Sequence, residues 1–318
     1  MNKIFLRPLC LLLASLVCGL AHAAALPEGL TLIPGHFEAS SQPDGNSLLI
    51  RTPAGLLLMD SGRHASHTEA VLAAARAQGQ PVVAVVNSHW HLDHVGGNPR
   101  VRAAYPEAKV YASAAIVDAQ QGFLARYREQ LLDAIAHGTD PRQTQAWHDE
   151  VALIDAGPAL RPDVTVTGPL TLDLGGRRIE LHLQKDAATA GDVWLYDPAS
   201  ATLAAGDLVT LPVPFLDTAC PQGWNEALKA LAAMPFKQLV PGHGPVLSAA
   251  EFKRYQSAYE GLLSCAATEA AASECARAWT ASLEGLIAEA DKARVLPMLD
   301  YYFKSRLRSA PAPECRRP

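Results

Sequence analysis

The sequence predicts an α+β fold, two β-sheets stacked face to face and covered by helices, with a helical extension at the C-terminal end. Three observations carry this. Two stretches of chain, from Ser47 to Gly97 and from Ile179 to Gly244, repeat one order of elements: strand, turn, strand, aspartate, helix, strand, histidine. A chain of 318 residues that is 49% hydrophobic can fill one large core or two modest ones, which excludes general disorder. After Ser248 the composition shifts to Ala, Glu, Leu and Arg at helical spacing.

The first 23 residues read as a secretory signal. Lys3 and Arg7 precede an apolar stretch from Pro8 to Leu20, and Ala21-His22-Ala23 supplies the small-residue exit. That stretch is shorter than the ~20 residues of a membrane span, and no later segment comes near it, so stable membrane insertion is not expected. Bulky Leu9 and Val17 ahead of Cys10 and Cys18 argue against lipid attachment. Removing the signal leaves 25 basic and 32 acidic residues, a net charge of −7. With no basic run in the chain, that balance argues against nucleic acid as a partner. A periplasmic or secreted address is oxidising, so Cys220, Cys265, Cys275 and Cys315 are expected in disulfides rather than in thiol chemistry. Of the three possible pairings, the short separation of Cys265 and Cys275 favours that pair together with Cys220–Cys315.

In the first half, strands are expected at Ser47–Ile50 and Leu56–Met59 around the turn Thr52-Pro53-Ala54-Gly55. The second strand ends at Asp60; an alanine-rich helix and the strand Val82–Val86 follow. In the second half, Val193–Tyr196 and Thr202–Ala205 flank the turn Asp197-Pro198-Ala199-Ser200 and lead to Asp207. A helix from about Trp224 to Met234 buries Trp224, Ala227, Leu228 and Leu231 on one face, and Gln238–Val240 runs into Pro241-Gly242-His243-Gly244. Between the halves, residues 112–156 read as helix broken around His137–Pro141. The expected organisation is a signal (1–23), one catalytic domain (26–250) and a helical extension (251–318). The Pro-rich tail is expected to fray unless Cys315 ties it down.

The informative segment is Asn87-Ser88-His89-Trp90-His91-Leu92-Asp93-His94-Val95-Gly96-Gly97. If the strand continues into it, His89 and His91, two residues apart, project to the same side while Trp90 points away into packing. Asp93 and His94 follow once the chain turns, and the glycine pair permits a tight bend. Imidazole nitrogen with carboxylate oxygen is a ligand set for zinc, or for iron or manganese in more open geometry. Three histidines and an aspartate within six residues, directly after a buried strand, fit a metal site better than a histidine-rich surface turn. His36, His137 and His148 are expected at the surface, and His64 and His67 near the site's mouth.

The string His89-x-His91-x-Asp93-His94 followed by Gly96-Gly97 resembles the signature of the metallo-β-lactamase superfamily, and the resemblance extends over roughly residues 30 to 250. It includes Asp60, the string Ala205-Gly206-Asp207-Leu208, and Val240-Pro241-Gly242-His243-Gly244. The resemblance implies a four-layer αββα sandwich and one or two metal ions. His89 and His91 would bind a first ion, Asp93, His94 and His243 a second, with Asp207 between them and Asp60 orienting a ligand or nearby backbone. One departure stands out. Where the family has Gly-His-Thr-x-Gly-Asp, this chain reads Ala187-Ala188-Thr189-Ala190-Gly191-Asp192, and alanine at 188 offers no ligand. Asp186, roughly 7 Å away along an extended chain, is a nearer substitute than His182 at about 20 Å.

A metal in this setting lowers the pKa of water toward neutrality and polarises a carbonyl, so hydrolysis is the expected chemistry, with Asp93 as proton acceptor or orienter of the attacking water. The expected substrate is a small ester, lactone, thioester or amide. An aspartate at 207 resembles thioesterase and lactonase members more than β-lactamases that carry cysteine there. A β-lactam hydrolase and a non-catalytic metal-binding protein are the alternatives, and the sequence leaves the oligomeric state open. The signal leads to a direct expectation. The mature protein starts at Ala24 or Leu26 with its cysteines oxidised, and mass spectrometry that found Met1 or four free thiols would overturn it.

Overall fold

The computed structural model describes residues 26–37, 42–310 and 315, so the expected signal segment lies outside the described residues. Twelve strands among them form two six-stranded sheets. The first sheet holds β1 (Leu30–Ile33), β2 (Ser47–Thr52), β3 (Gly55–Met59), β4 (Val82–Val86), β5 (Lys109–Ala112) and β6 (Val164–Thr165) in chain order. The second holds β7 (Leu170–Leu174), β8 (Arg177–Lys185), β9 (Gly191–Asp197), β10 (Thr202–Thr210), β11 (Gln238–His243) and β12 (Leu247–Ser248), also as consecutive neighbours.

The β2–β3 hairpin closes on the expected turn, where the Thr52 hydroxyl donates to the Gly55 carbonyl at 2.7 Å. Gly55 needs to be glycine: its φ is +137°, and a Cβ there would stand 2.7 Å from the Pro81 carbonyl oxygen. Helix α1 (Ala65–Ala77) then carries the chain across the sheet so that β4 lies parallel to β3. A parallel neighbour requires such a crossover, and the crossover delivers the carboxyl ends of both strands to one edge. The second half does the same with β10, helix α7 (Pro221–Ala232) and the parallel strand β11.

Period-2 alternation decides what each face buries. Leu48, Ile50, Leu57, Met59 and Val86 point inward and meet Ile179, Leu181, Val193, Leu195 and Val240 of the other sheet. Leu49, Leu56, Leu58 and Val85 point outward onto Val71, Leu72 and Ala75 of α1. On the far side, Trp194, Tyr196, Leu203 and Leu239 pack against α7, whose Trp224, Ala227, Leu228 and Leu231 are buried as expected. The result is four layers in the order helix, sheet, sheet, helix.

Short helices α2 (Leu92–Val95) and α3 (Asn98–Ala104) follow β4. The inter-half segment forms α4 (Ala115–Gln121), α5 (Phe123–His137) and α6 (Pro141–Asp155), broken where the sequence suggested. The C-terminal helices are α8 (Ala249–Ala266), α9 (Ala272–Ser282) and α10 (Glu289–Tyr302). Ser248 caps α8 in a reciprocal box with Glu251. These helices are no loose appendage: Phe252, Tyr255, Trp279, Leu299 and Phe303 share one continuous core with α7 and the outer face of the second sheet. No helix among the described residues is long and apolar enough to cross a membrane.

The cysteines pair as Cys220–Cys315 and Cys265–Cys275. The first bridge spans 95 residues and ties the tail to the start of α7; the second spans 10 and joins α8 to α9. Cross-linking removes unfolded-state entropy, so Cys220→Ser is expected to cost about 2–5 kcal/mol, and Cys265→Ser less because it closes the shorter loop. Urea denaturation of the oxidised proteins measures both costs. No loss in either variant would mean that the bridges do not stabilise the fold.

Candidate metal centre

The site is built where the carboxyl ends of β3, β4, β10 and β11 meet. β4 stops at Val86, one residue before the cluster, and Asn87–His91 form an irregular turn rather than a continued strand. Strand alternation therefore does not aim His89 and His91, contrary to the expectation from their spacing. Buried amides hold the turn instead. The Asn98 side chain donates to Asn87 Oδ1 at 2.7 Å, and Asn87 Nδ2 donates to the His94 carbonyl at 3.1 Å. The two imidazoles still converge, with His89 Nε2 2.8 Å from His91 Nδ1. Trp90 points into packing as expected, 5.4 Å from Phe123 between ring centroids.

Asp60 controls this turn. Its backbone is left-handed (φ +58°), and its carboxylate accepts from Ser88 N (2.7 Å), Ser88 Oγ (2.7 Å) and His94 Nδ1 (2.8 Å). The proton inventory places a proton on each Nδ1 that faces Asp60 or Ser88. Since Ser88 gives its hydroxyl proton to Asp60, its oxygen accepts from His89 Nδ1 at 2.9 Å. Both His89 and His94 then carry a proton on Nδ1, and their Nε2 atoms face the carboxylates.

On the opposite wall, β10 runs on past Ala205 to Thr210, and its register against β11 breaks on both sides of Gly206. Gly206 has φ +54°, and this irregularity re-aims Asp207 out of the ladder. Gly242 lets that carboxylate approach, since a Cβ on it would lie 1.9 Å from Asp207 Oδ1.

Two sets of ligand atoms converge: His89, His94 and Asp207, and Asp93, His94 and His243. His94 Nε2 lies 3.3 Å from Asp207 Oδ1 and 3.4 Å from Asp93 Oδ2, while His243 Nε2 lies 3.0 Å from Asp93 Oδ2 and 3.5 Å from Asp207 Oδ1. His89 Nε2 is 3.8 Å from Asp207 Oδ2. Buried His94 Nε2 and Asp207 Oδ1 have no hydrogen-bond partner. Buried atoms of this kind normally find partners, and a divalent cation, by displacing the Nε2 proton of His94, would satisfy the imidazole nitrogen and the carboxylate oxygen together.

The electrostatics agree. Burial opposes charge on Asp93, but His94, His243 and Arg63 outweigh it and hold its carboxyl well below the usual range. Burial is likewise overcome at Asp207, by His243 and His94, and its carboxyl is lowered. Asp207, Asp93 and Asp60 overcome burial of the His94 imidazole and push its pKa well above normal. His91 behaves oppositely, brought down to about 4 by burial. Its Nε2 faces the Thr218 hydroxyl at 2.9 Å, and His91 belongs to neither convergent set. Ala188 is buried behind it, its carbonyl 3.1 Å from the Thr218 hydroxyl.

Asp186 and His182 also lie outside both sets among the described residues, and His182 stacks on Trp194 at 3.9 Å. His64 pairs with Asp44 at 2.8 Å, His67 with Ser47 at 2.9 Å, and His36, His137 and His148 are exposed. Four contributors escaped the sequence reading. Arg63 is buried between Asp93 (3.5 Å) and Glu150 (2.5 Å). Asp44 accepts from the backbone of Arg63 and His64, and Thr218 meets His91. Only Arg63, three residues past Asp60, offered any sequence signal.

Such a sandwich, with histidines and carboxylates gathered at one sheet edge, defines the class of metal-site αββα proteins. The family model described as the metallo-beta-lactamase superfamily matches residues 42–243, more than half of the chain, and the chain belongs to that superfamily. It is similar to a linear primary-alkylsulfatase of Pseudomonas sp., 26% identical over 228 residues, 64% of this chain and 42% of the relative. A hydroxyacylglutathione hydrolase of Synechococcus sp. is 51% identical over 49 residues, 15% of this chain and 19% of that one. The chain thus spans less than half the length of these curated relatives. Among solved structures, a metallo-beta-lactamase from Pontibacter korlensis has a TM-score of 0.55 at 22% identity, covering 74% of this chain and 97% of its own. A variant of a sec-alkyl sulfatase gives 0.55 at 19%, covering 82% and 47%.

Because Asp60 orients His94 directly and His89 through Ser88, Asp60→Asn is expected to weaken metal binding about 10–100-fold while the fold persists. Competition titration against a chelator reads the affinity, and a change below twofold would refute the role.

Proposed function

We propose that this protein is an exported metal-dependent hydrolase acting on a small ester, lactone, thioester or amide. The observation that carries the reading is the pair of buried, unpartnered atoms, His94 Nε2 and Asp207 Oδ1, inside a cluster that also holds Asp93 and His243. These four side chains would hold one divalent cation, zinc by the donor set, with iron or manganese open. A second ion beside His89 and His91 would be held more weakly, because Ala188 supplies no ligand and His91 Nε2 is already engaged by Thr218. A bound cation supplies Lewis-acid polarisation and a lowered water pKa at neutral pH.

The chain's own residues supply the rest. Arg63 holds one oxygen of Asp93 and leaves the other toward His94 and His243. Asp93 stands where it can orient the attacking water and take its proton. Trp90, Phe123 and Phe215 shield the site on its apolar side. The two disulfides support an oxidising compartment, hence the periplasmic or secreted address. Alanine at 188 favours a second reading, a metal-binding protein without hydrolytic activity.

One experiment separates them. His94→Ala, His243→Ala and Asp207→Ala are each expected to lower bound metal and abolish hydrolysis across an ester, lactone, thioester and amide panel, with far-UV circular dichroism unchanged. Full metal and full activity in all three would overturn the site. Metal binding with no turnover by the unmodified protein would favour the second reading.

A further inference from the structure

A cavity of about 400 Å³ opens directly over the cluster, with Asp93, Asp207, His243 and His91 in its lining. That size is in the range of small-molecule sites. Its walls come from three separate parts of the chain. Phe123 comes from the inter-half helices, Val213 and Phe215 from the loop after β10, and Leu286, Ile287 and Met298 from the C-terminal helical region. Phe215 and Trp90 flank the His91 ring edge-to-face at 5.2 and 4.5 Å, so the apolar wall reaches the polar floor without a gap.

The charge inventory of this lining discriminates among ligands. Four carboxylates, Asp44, Asp93, Asp207 and Asp291, face two guanidiniums, Arg63 and Arg294. Each guanidinium already has a carboxylate partner. Arg63 is shared by Asp93 and Glu150, and Arg294 pairs with Asp291 at 2.8 Å while its Cζ sits 3.4 Å from the Phe37 ring centroid. Carboxylates outnumber guanidiniums in the lining, a balance that suits a divalent cation. Both arginines of the described lining are therefore charge-paired before any sulfate, phosphate or carboxylate headgroup arrives, which disfavours such a headgroup.

We propose that the C-terminal helices complete a substrate pocket, and that its substrate is an uncharged ester, thioester or lactone with an apolar acyl chain lying along Leu286, Ile287 and Met298. This rests on the hydrolase reading above and narrows it. In the net step one water is consumed. Its oxygen bonds to the acyl carbon, the carbon–oxygen or carbon–sulfur bond breaks, and one of its protons goes to the leaving alcohol or thiol. The same geometry argues against an alkyl sulfate, although a relative is named for that activity.

The test is a chain-length series of nitrophenyl esters, from acetyl to decanoyl, with the metal-loaded, disulfide-intact protein. KM is expected to fall up to about fourfold per added methylene until the cavity is full. Met298→Trp is expected to end that fall at a shorter chain, and Ile287→Asp to flatten it. Octyl sulfate is expected to remain intact. Calorimetry with straight-chain alcohols reads the same pocket without turnover, with affinity rising with length. Turnover of the acetyl ester with no chain-length gradient, preference for octyl sulfate, or alcohols binding independently of length would each overturn the proposal. Loss of all ester turnover while alcohols still bind by length would strike the hydrolase reading and leave the pocket standing.

Discussion

The centre depends on where one carboxylate sends its three hydrogen bonds. Asp60 takes a left-handed backbone conformation, which costs on the order of 1–3 kcal/mol for a residue with a Cβ. The bonds it accepts from Ser88 and His94 involve a charged acceptor and offset that cost. Their consequence is directional. One bond pins the backbone where β4 gives way to the turn, another consumes the Ser88 proton, and the third consumes the Nδ1 proton of His94. Two imidazoles are thereby held at Nδ1 with Nε2 aimed inward. The parallel β3–β4 crossover makes this possible, because only parallel strands bring the residue after β3 beside the residue after β4.

The second constraint is charge. Asp93 and Asp207 are buried close to one another, an arrangement that an apolar interior resists. Arg63 relieves part of it from behind, and Glu150 in turn balances Arg63, whose burial alone would be costly. The inter-half helices therefore do more than cover the sheet edge: α6 delivers Glu150, which partners the arginine beside Asp93. The imbalance that remains at the front of the cluster is what a cation meets.

Much of this was legible in the sequence, for a physical reason. Strands Leu56–Met59 and Val82–Val86, the buried face of α7 and the helix break near His137 all follow local periodicity, and the fold kept them. His89, Asp93 and His94 were legible because they crowd into six residues, and Asp207 and His243 because each follows a strand-like run in the repeated order, although β10 continues past Asp207 to Thr210. Contacts that join distant residues were not. Glu150 reaches Arg63 across 87 residues and Thr218 reaches His91 across 127, and no periodicity encodes either. The strand argument for His89 and His91 named two residues that do meet but gave the wrong cause, because β4 ends at Val86 and the turn after it is held by the buried Asn87 and Asn98 side chains.

The C-terminal helices show the same limit and give it functional weight. Their spacing announced helices, but nothing local announced what they hold. Trp279 donates from Nε1 to the Pro212 carbonyl at 2.8 Å, the Tyr255 hydroxyl sits against the Thr210 backbone at 3.3 Å, and the Tyr301 hydroxyl donates to Asp217 at 2.9 Å. All three contacts fall on residues 210–217, the segment that forms one cavity wall and leads into Thr218, the partner of His91. The buried indole and phenol thus spend their polar atoms on the last residue of β10 and on the irregular segment that follows it. A cavity wall fixed in this way presents a defined apolar shape at low cost in ordering when a ligand enters, and the Cys265–Cys275 bridge between α8 and α9 stiffens the scaffold behind it.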